Sequence, residues 1–291
     1  RQEMKSGCTL YGRFSCLPSI FPYPIHYLYL LYLETMWRWP TVQAQKDKNA
    51  KAKAKVNSLH AKLISIAAEK WADVNQNNTL ADAIHAAKKD GVTADVIDRA
   101  IKRGAGESKD SAKVEEIIYE GYAPGGVAVI VRALSDNRNR TAPSMRHIFS
   151  AFGGNLWETG TVSNFAFDYR GVILIDLFSS AEELEMAIME TPAEDYTIEW
   201  GEATIYTDRT KFAEVRKSLE WAGYKIEKAG FEYIPKNYVE VTDEDNALKI
   251  YKMLEEFEWD EDVEVVWNNA DISDALWEKC REKVEANRFR T

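Results

Sequence analysis

The 291-residue sequence predicts an α+β protein, in which a small N-terminal helical bundle precedes two α/β domains, one inserted in the other. Apolar residues recur at helical spacing up to about residue 104, and beyond residue 113 they alternate with a period of two, as strands do. Between residues 171 and 236 the elements follow the order β-α-β-β-α-β, which is the order of a ferredoxin-like fold.

The first predicted helix lies within residues 42–70, where Ala, Lys and Gln are frequent and neither Pro nor Gly occurs. Leu59, Leu63 and Ile66 lie on one apolar stripe, whereas most of the lysines fall on a different face. The sequence therefore predicts an amphipathic basic helix. Its candidate phosphate-binding residues are Lys46, Lys48, Lys51, Lys53, Lys55 and Lys62.

Two shorter helices complete the predicted bundle. The second begins at Thr79, whose hydroxyl forms a capping box with Asp82, and ends at Gly91. The third is capped by Thr93. Its last turn carries two cations that complement the helix dipole, Lys102 and Arg103. Residues 104–113 are predicted to be a linker, because they are rich in Gly, Ser, Lys and Asp.

A hairpin opens the first α/β domain. Residues 117–122 and 127–134 are rich in β-branched and aromatic residues and flank a turn that contains Pro-Gly-Gly. A helix that contains Met145 and Phe149 follows, and residues 161–169 return to strand. The turn and loop residues that stand out here are Tyr122, Pro124, Gly125, Gly126, Gly153, Gly154 and Asn155.

The insertion is inferred from the elements that remain. Strands near 238–241 and 262–267 and a helix over 244–257 complete the sheet that begins near residue 116. The predicted ranges are 36–113 for the bundle and linker, 114–170 with 237–275 for the first α/β domain, 171–236 for the inserted domain and 276–291 for a tail. Residues 1–35 are expected to be an upstream or disordered extension, and a short membrane-associating tail is the alternative. Their proline-broken apolar run is shorter than the roughly 20 residues of a spanning helix.

Charge is distributed unevenly along the chain. Residues 36–113 carry a net charge of +6, and residues 114–291 carry −17. A basic segment joined to an acidic body suggests that the front of the protein meets a polyanion, although a solvated helix face explains the same charge. Three cysteines without a CxxC pair fit a reducing cytoplasm.

Catalytic motifs are absent from the sequence. The four histidines form no HExxH pair, and no GxSxG, GxGxxG or P-loop sequence occurs. The acidic runs at 243–245 and 260–262 lack the spacing of an EF-hand and are predicted to be solvated caps and turns. We therefore expect no enzyme activity, cofactor, metal, small-molecule substrate or membrane partner.

The densest polar segment is the loop of residues 136–141, which is predicted to join a strand to a helix starting near Thr141 or Pro143. Arg138 and Arg140 could hold a phosphate beside free helix N–H groups. The other interpretation is a loop network held by Asp136, Asn137 and Asn139. The two interpretations are compatible.

Four motifs in order make the sequence recognisable. Ala-Ile-Lys-Arg-Gly at 100–104, Tyr-Glu-Gly-Tyr-Ala-Pro-Gly-Gly at 119–126, Ser-Asp-Asn-Arg-Asn-Arg-Thr at 135–141 and Phe-Gly-Gly-Asn-Leu at 152–156 closely resemble the YebC family. The resemblance covers about residues 36–272 and implies an N-terminal helical bundle, two ferredoxin-like domains and a role in transcription or, as in mitochondrial relatives, in translation. It implies no cofactor and no catalytic residue.

Several tryptophans stand where glycine would be expected, as at position 157, where relatives usually have Gly. We hypothesise that the source reads UGA as glycine, so that glycine replaces tryptophan in the native protein at Trp37, Trp39, Trp71, Trp157 and Trp200. Trp267 lies in a predicted strand and is expected to be genuine. If Trp157 is genuine, it should strain its turn.

Three functions remain open on the sequence alone. A DNA-binding transcriptional regulator would contact phosphates through the basic bundle, and a ribosome-associated translation factor would use the same lysines on ribosomal RNA or tRNA. A protein-interaction module with a solvated basic face would bind no nucleic acid.

Overall fold

The computed structural model describes residues 49–107, 112–176, 181–199 and 201–288. The chain divides after Ala54 into two units, and of the first unit only residues 49–54 are described. Predictions that concern residues 1–48, among them Lys46, Lys48, Trp37 and Trp39, lie outside the described residues, as does Trp200.

The helical bundle consists of α1 (residues 49–70), α2 (Asn78–Lys89) and α3 (Ala94–Gly104). Its core is apolar and includes Ile64, Leu80, Ile84, Val92 and Ile97. The prediction that Thr79 caps the second helix is wrong. The cap is Asn77, whose Oδ1 accepts a hydrogen bond from the backbone N–H of Leu80 at 3.1 Å.

Sheet structure begins with β1 (Glu115–Tyr122), a 3₁₀ turn (Pro124–Gly126) and β2 (Ala128–Ser135), followed by α4 (Arg138–Ala151) and β3 (Asn155–Trp157). The next segment is α5 (Ser163–Ala166), β4 (Phe167–Asp176), α6 (Ala181–Met189), β5 (Asp195–Glu199), β6 (Glu202–Thr207), α7 (Phe212–Trp221) and β7 (Ile226–Pro235). The last elements are β8 (Val239–Glu240), α8 (Glu244–Trp259), β9 (Val263–Asn268), β10 (Ala270–Asp271) and α9 (Asp274–Arg288).

Two four-stranded antiparallel sheets result, in the orders β3-β1-β2-β9 and β5-β6-β4-β7, and β8 pairs with β10 in parallel. The second sheet has the strand order and the β-α-β-β-α-β sequence of a ferredoxin-like fold. In the first sheet β1 is followed directly by β2, so its connections run β-β-α-β before the inserted sheet and α-β after it. The protein is therefore α+β.

Each sheet has its own core. Side chains of β1 and β2 pack with α4 and α8 around Val131, Met145, Phe149 and Phe257. In the inserted sheet the core lies between the strands and α6 with α7, and its largest members are Ile173, Ile175, Leu184, Ile205 and Leu219.

Three further differences from the sequence predictions concern residues 157, 161–176 and 276–288. Residues 161–162 form a turn and Ser163–Ala166 a short helix, and the strands predicted at 161–169 and from 171 are replaced by one strand, β4 (Phe167–Asp176). Trp157 lies in β3, paired with Glu120, so the predicted strained turn is wrong. Residues 276–288, predicted to be a tail, belong to α9, where Cys280 is buried against the first core.

Candidate nucleic-acid interface

The carboxylate of Asp262 joins the helical bundle to the first sheet. It lies 2.6 Å from Nζ of Lys62 on α1 and 3.1 Å from Nη2 of Arg140 on α4. The hydroxyl of Thr141 donates to it at 2.8 Å, and that of Ser135 lies 3.4 Å away. Only about a tenth of the Asp262 and Lys62 side chains is exposed (10% and 11%). The prediction that residues 260–262 form a solvated turn is therefore wrong for Asp262.

Burial by itself would raise the pKa of the Asp262 carboxyl. Hydrogen bonds from Lys62, Thr141 and Arg140 and the positive charge of Lys62 outweigh burial and hold that pKa below its usual value. The carboxylate is therefore ionised, and it neutralises cations on two elements that carry candidate phosphate-binding residues.

A second lysine of α1 contacts the same region. Lys55 donates to the backbone carbonyl of Glu258, and Lys62 donates to that of Glu261 at 2.9 Å. Burial lowers the pKa of Lys55, although Glu258 and Asp260 act in the opposite direction. Lys55, Lys62 and Arg140 thus have partners inside the protein, so they are less available to an external phosphate than the sequence suggests.

The polar loop after β2 is ordered by its own side chains. The helix begins at Arg138, earlier than predicted, because Asn137 caps it by accepting hydrogen bonds from the backbone N–H groups of Asn139 and Arg140. Arg140 also lies 3.2 Å from Asp136. The network interpretation describes Asp136, Asn137 and Arg140, whereas Arg138 is exposed and faces solvent from the first turn of α4.

Five of the candidate cations are exposed and form no ion pair with any other residue of the described ranges. They are Lys51, Lys53, Lys102, Arg103 and Arg138. Lys51 and Lys53 belong to the unit that ends at Ala54. In the other unit, Arg103 lines a cleft of about 210 Å³ between α1 and α3, together with Ser65 and Arg99. The charge of these cations is therefore not neutralised by an ion pair within the described ranges.

The glycine-rich motifs shape the hairpin end of the first sheet. Gly125 and Gly126 in the turn after Pro124 have φ of 78° and 80°, which side chains rarely adopt, and Gly153 has φ of 80° after α4. A Cβ on Gly154 would lie 2.6 Å from the carbonyl oxygen of Tyr122. Gly154 therefore packs against the backbone of Tyr122 and Ala123, whereas Gly125 and Gly126 serve the turn through their positive φ.

Glu120 is a buried carboxylate that sequence analysis did not single out. Its oxygens accept hydrogen bonds from the backbone N–H groups of Gly160, Val162 and Ser163 at 2.8–2.9 Å and from the Ser163 hydroxyl at 2.7 Å. Burial raises the pKa of Glu120, but these hydrogen bonds outweigh it and hold the pKa below its usual value. A glutamate in a predicted strand is expected to be exposed, so the sequence pattern gave no indication that Glu120 is buried.

No group of three or more His, Cys, Asp and Glu side chains within the described ranges is arranged to hold a metal ion. The same part of the chain contains no helix that is long and apolar enough to cross a membrane.

Comparison with known proteins gives consistent results over most of the chain. Residues 37–107 match the model of the TACO1/YebC protein N-terminal domain, and residues 114–270 match that of the TACO1/YebC second and third domain. A "Probable transcriptional regulatory protein" of Halothermothrix orenii is 41% identical over 250 residues, which cover 84% of this chain and 98% of the relative. A protein of the same description from Finegoldia magna is 41% identical over 80% of this chain and 97% of its own length.

A solved structure is also similar. The crystal structure of the conserved hypothetical protein Aq1575 from Aquifex aeolicus superposes with a TM-score of 0.68 at 40% identity, covering 76% of this chain and 91% of that one.

Proposed function

Because this chain belongs to the TACO1/YebC family of regulatory proteins, we propose that it regulates gene expression by binding the phosphate backbone of nucleic acid. Its main target is DNA, and it catalyses no reaction. The relatives' description as transcriptional regulators supports the DNA target.

The observation that carries the proposal is the division of the candidate cations into two groups. Lys55, Lys62 and Arg140 have partners inside the protein, whereas Lys102, Arg103 and Arg138 are exposed and unpaired within the described ranges. Exposed guanidinium and ammonium groups contact phosphates without reading base sequence. The chain has a net charge of −10, yet these surface cations form no ion pairs with its own described carboxylates, so they can attract an external polyanion.

A second function, a translation factor that binds ribosomal or transfer RNA, uses the same cations. It is favoured by the exposed end of α3, where Lys102 and Arg103 offer positive charge to phosphate groups of any sequence. RNA helices are recognised largely through shape and phosphates.

The test compares two double variants that each remove two positive charges. Lys102→Gln, Arg103→Gln removes the exposed cations of α3, and the matched control Lys225→Gln, Lys249→Gln removes two exposed lysines elsewhere. Equilibrium binding to duplex DNA and to ribosomal RNA is measured from low to high salt. The slope of log affinity against log salt should fall by about two in the first variant, because each lost phosphate contact removes about one counterion.

The control variant should keep the wild-type slope. Equal slopes for the two variants would contradict the assignment of the α3 cations, and absence of binding by the wild type at low salt would contradict nucleic-acid binding altogether. Preference for DNA supports the transcriptional function, and preference for ribosomal RNA supports the translational one.

A further inference from the structure

Two ion pairs connect helix α2 of the bundle to the inserted domain. Asp82 lies 3.1 Å from Nη1 of Arg216 on α7, and Nζ of Lys89 lies 2.9 Å from the carboxylate of Glu227 on β7. We call these two pairs the polar latch. Between 36% and 61% of each of the four side chains is exposed, so both pairs are in contact with solvent.

The two surfaces that the polar latch joins belong to separate apolar cores. The buried side chains of α2 lie in the core of the bundle, and those of α7 lie in the core of the inserted domain. Within the described ranges the two cores have no residue in common. The face of α2 that carries both pairs is exposed at Asp82, His85, Ala86 and Lys89. The contact between bundle and inserted domain is therefore polar and open to solvent.

The order of charges in the polar latch fixes one direction of α2. Asp82 and Lys89 are seven residues apart, which is about 10 Å along a helix. The cation of Arg216 lies beside Asp82, and the carboxylate of Glu227 lies beside Lys89. Reversing α2 would bring like charges together, which is unfavourable. The polar latch therefore specifies how the bundle meets the inserted domain.

The same two pairs hold this arrangement only weakly. An exposed ion pair shifts an equilibrium by about 1.4- to 5-fold, because water and salt screen its charges. Arg216 also lies 3.0 Å from Glu220 on its own helix, so it keeps a carboxylate partner when Asp82 leaves. Separation of the two surfaces therefore buries no unpaired charge and exposes no shared core.

The bundle is held more firmly on the side of the first sheet. Lys62 and Asp262 form a pair of which only 11% and 10% is exposed, and Lys55 donates to the carbonyl of Glu258. Salt screens exposed charges strongly and buried pairs much less. A rise in ionic strength is therefore expected to weaken the polar latch and to spare the contacts of Asp262.

We propose that the polar latch is a conformational switch, in which the bundle stays attached at Asp262 and separates from the inserted domain when the two exposed ion pairs are screened. Small polar contacts between domains permit relative motion of those domains. Two such pairs favour the closed arrangement by about 2- to 30-fold, a preference small enough for salt to remove. The inference goes beyond the proposed function and does not depend on nucleic-acid binding.

Carbodiimide cross-linking of the full chain tests the switch, because this reagent couples an amine to a carboxylate only when the two are in contact. The yield of the Lys89–Glu227 cross-link is measured by mass spectrometry after a short reaction. Salt is varied from about 0.1 to 1 M, over which the screening length falls from about 10 to 3 Å. The yield is divided by that of Lys211 and Glu214, an exposed pair 3.2 Å apart at the start of α7. Small-angle X-ray scattering of the same samples gives the radius of gyration.

Three variants test the polar latch at low salt. Asp82→Asn removes one pair and leaves the cross-linked pair intact, whereas Asp82→Glu keeps the charge. The matched control is Asp95→Asn, which makes the same chemical change in an exposed pair with Arg99 inside α3. We expect Asp82→Asn to lower the cross-link ratio by about 1.4- to 5-fold, and the other two variants to keep it.

From low to high salt, the wild-type ratio should fall by about 2- to 30-fold while the radius of gyration increases. A ratio and a radius of gyration that do not change with salt would show a rigid contact and overturn the switch. Absence of the Lys89–Glu227 cross-link at low salt would overturn it too, as would a wild-type ratio in Asp82→Asn. An equal fall in Asp82→Asn and Asp95→Asn would assign the effect to net charge and contradict the polar latch. The samples contain no nucleic acid, so none of these outcomes bears on the proposed function.

Discussion

Replacing Asp262 with Asn removes the negative charge that holds the bundle against the first sheet. Breaking a buried ion pair by removing one partner costs about 3–5 kcal/mol. Two features place the cost at this site near the lower end of that range. Lys62 keeps its hydrogen bond to the Glu261 carbonyl at 2.9 Å, and Arg140, 57% exposed, becomes solvated. We therefore expect Asp262→Asn to lower the free energy of unfolding by about 3 kcal/mol.

Urea unfolding at neutral pH, followed by circular dichroism, measures this change. Asp136→Asn is the matched control, because it makes the same chemical change at the more exposed partner of Arg140 and should cost less than about 1 kcal/mol. Combining Asp262→Asn with Lys62→Met should cost less than the sum of the single changes, because the double variant leaves no unpaired buried charge.

The pH dependence gives a second readout for the same variant. The pKa of Asp262 is lower in the folded protein than its unfolded value of about 3.9. Its contribution to stability is therefore present above that value and is lost as the pH falls through the folded pKa. Asp262→Asn should destabilise less at low pH than at neutral pH. A cost equal to that of Asp136→Asn at neutral pH would refute the assignment of Asp262 as the main link.

Three further predictions follow from the same contacts. Glu120→Gln should lower stability at neutral pH and reduce the loss of stability on acidification, because the folded pKa of Glu120 also lies below its unfolded value. Thermal melting between about pH 3 and 7 measures both effects, and a pH profile identical to that of the wild type would contradict the prediction. Gly121→Ala should lower the free energy of unfolding in urea by about 1–3 kcal/mol, because the added Cβ would lie 2.6 Å from the Phe149 ring. Gly91→Ala is the control for backbone strain, because φ is positive there but no atom lies within 4 Å of the added Cβ. The intact mass of the protein from its native source should match glycine at positions 37, 39, 71, 157 and 200; tryptophan at all nine Trp positions of the sequence would refute the UGA hypothesis.

The local pattern of the sequence was sufficient for most elements. Helical spacing located α2 and α3, and turn chemistry located the β1–β2 hairpin around the Pro-Gly-Gly turn. The order of elements between 171 and 236 predicted the second sheet, with strand order β5-β6-β4-β7. Trp71 is 66% exposed, and Trp157 is 54% exposed with its ring at the edge of Tyr122, so neither indole is enclosed by a core.

Contacts between residues far apart in the sequence could not be predicted from the sequence alone. Asp262 reads as part of an acidic turn, and its burial depends on Lys62, 200 residues earlier, and on Thr141. The partners of Lys55, Lys62 and Arg140 are also far away in the sequence. The sequence therefore gave no reason to rank these three residues below Lys102 and Arg103 as phosphate-binding candidates. The contact between the Tyr233 and Trp267 rings has the same origin, because β7 and β9 bring them together only when both sheets have formed.

Sedimentation of the protein in a sucrose gradient of cell lysate tests nucleic-acid binding most directly. At low salt the account predicts that the wild type sediments with nucleic-acid particles, and that high salt or the Lys102→Gln, Arg103→Gln variant releases it. Release by RNase from ribosomal fractions assigns the target to the ribosome, and release by DNase assigns it to DNA. Sedimentation as free protein at every salt concentration, with or without nucleases, would contradict the account.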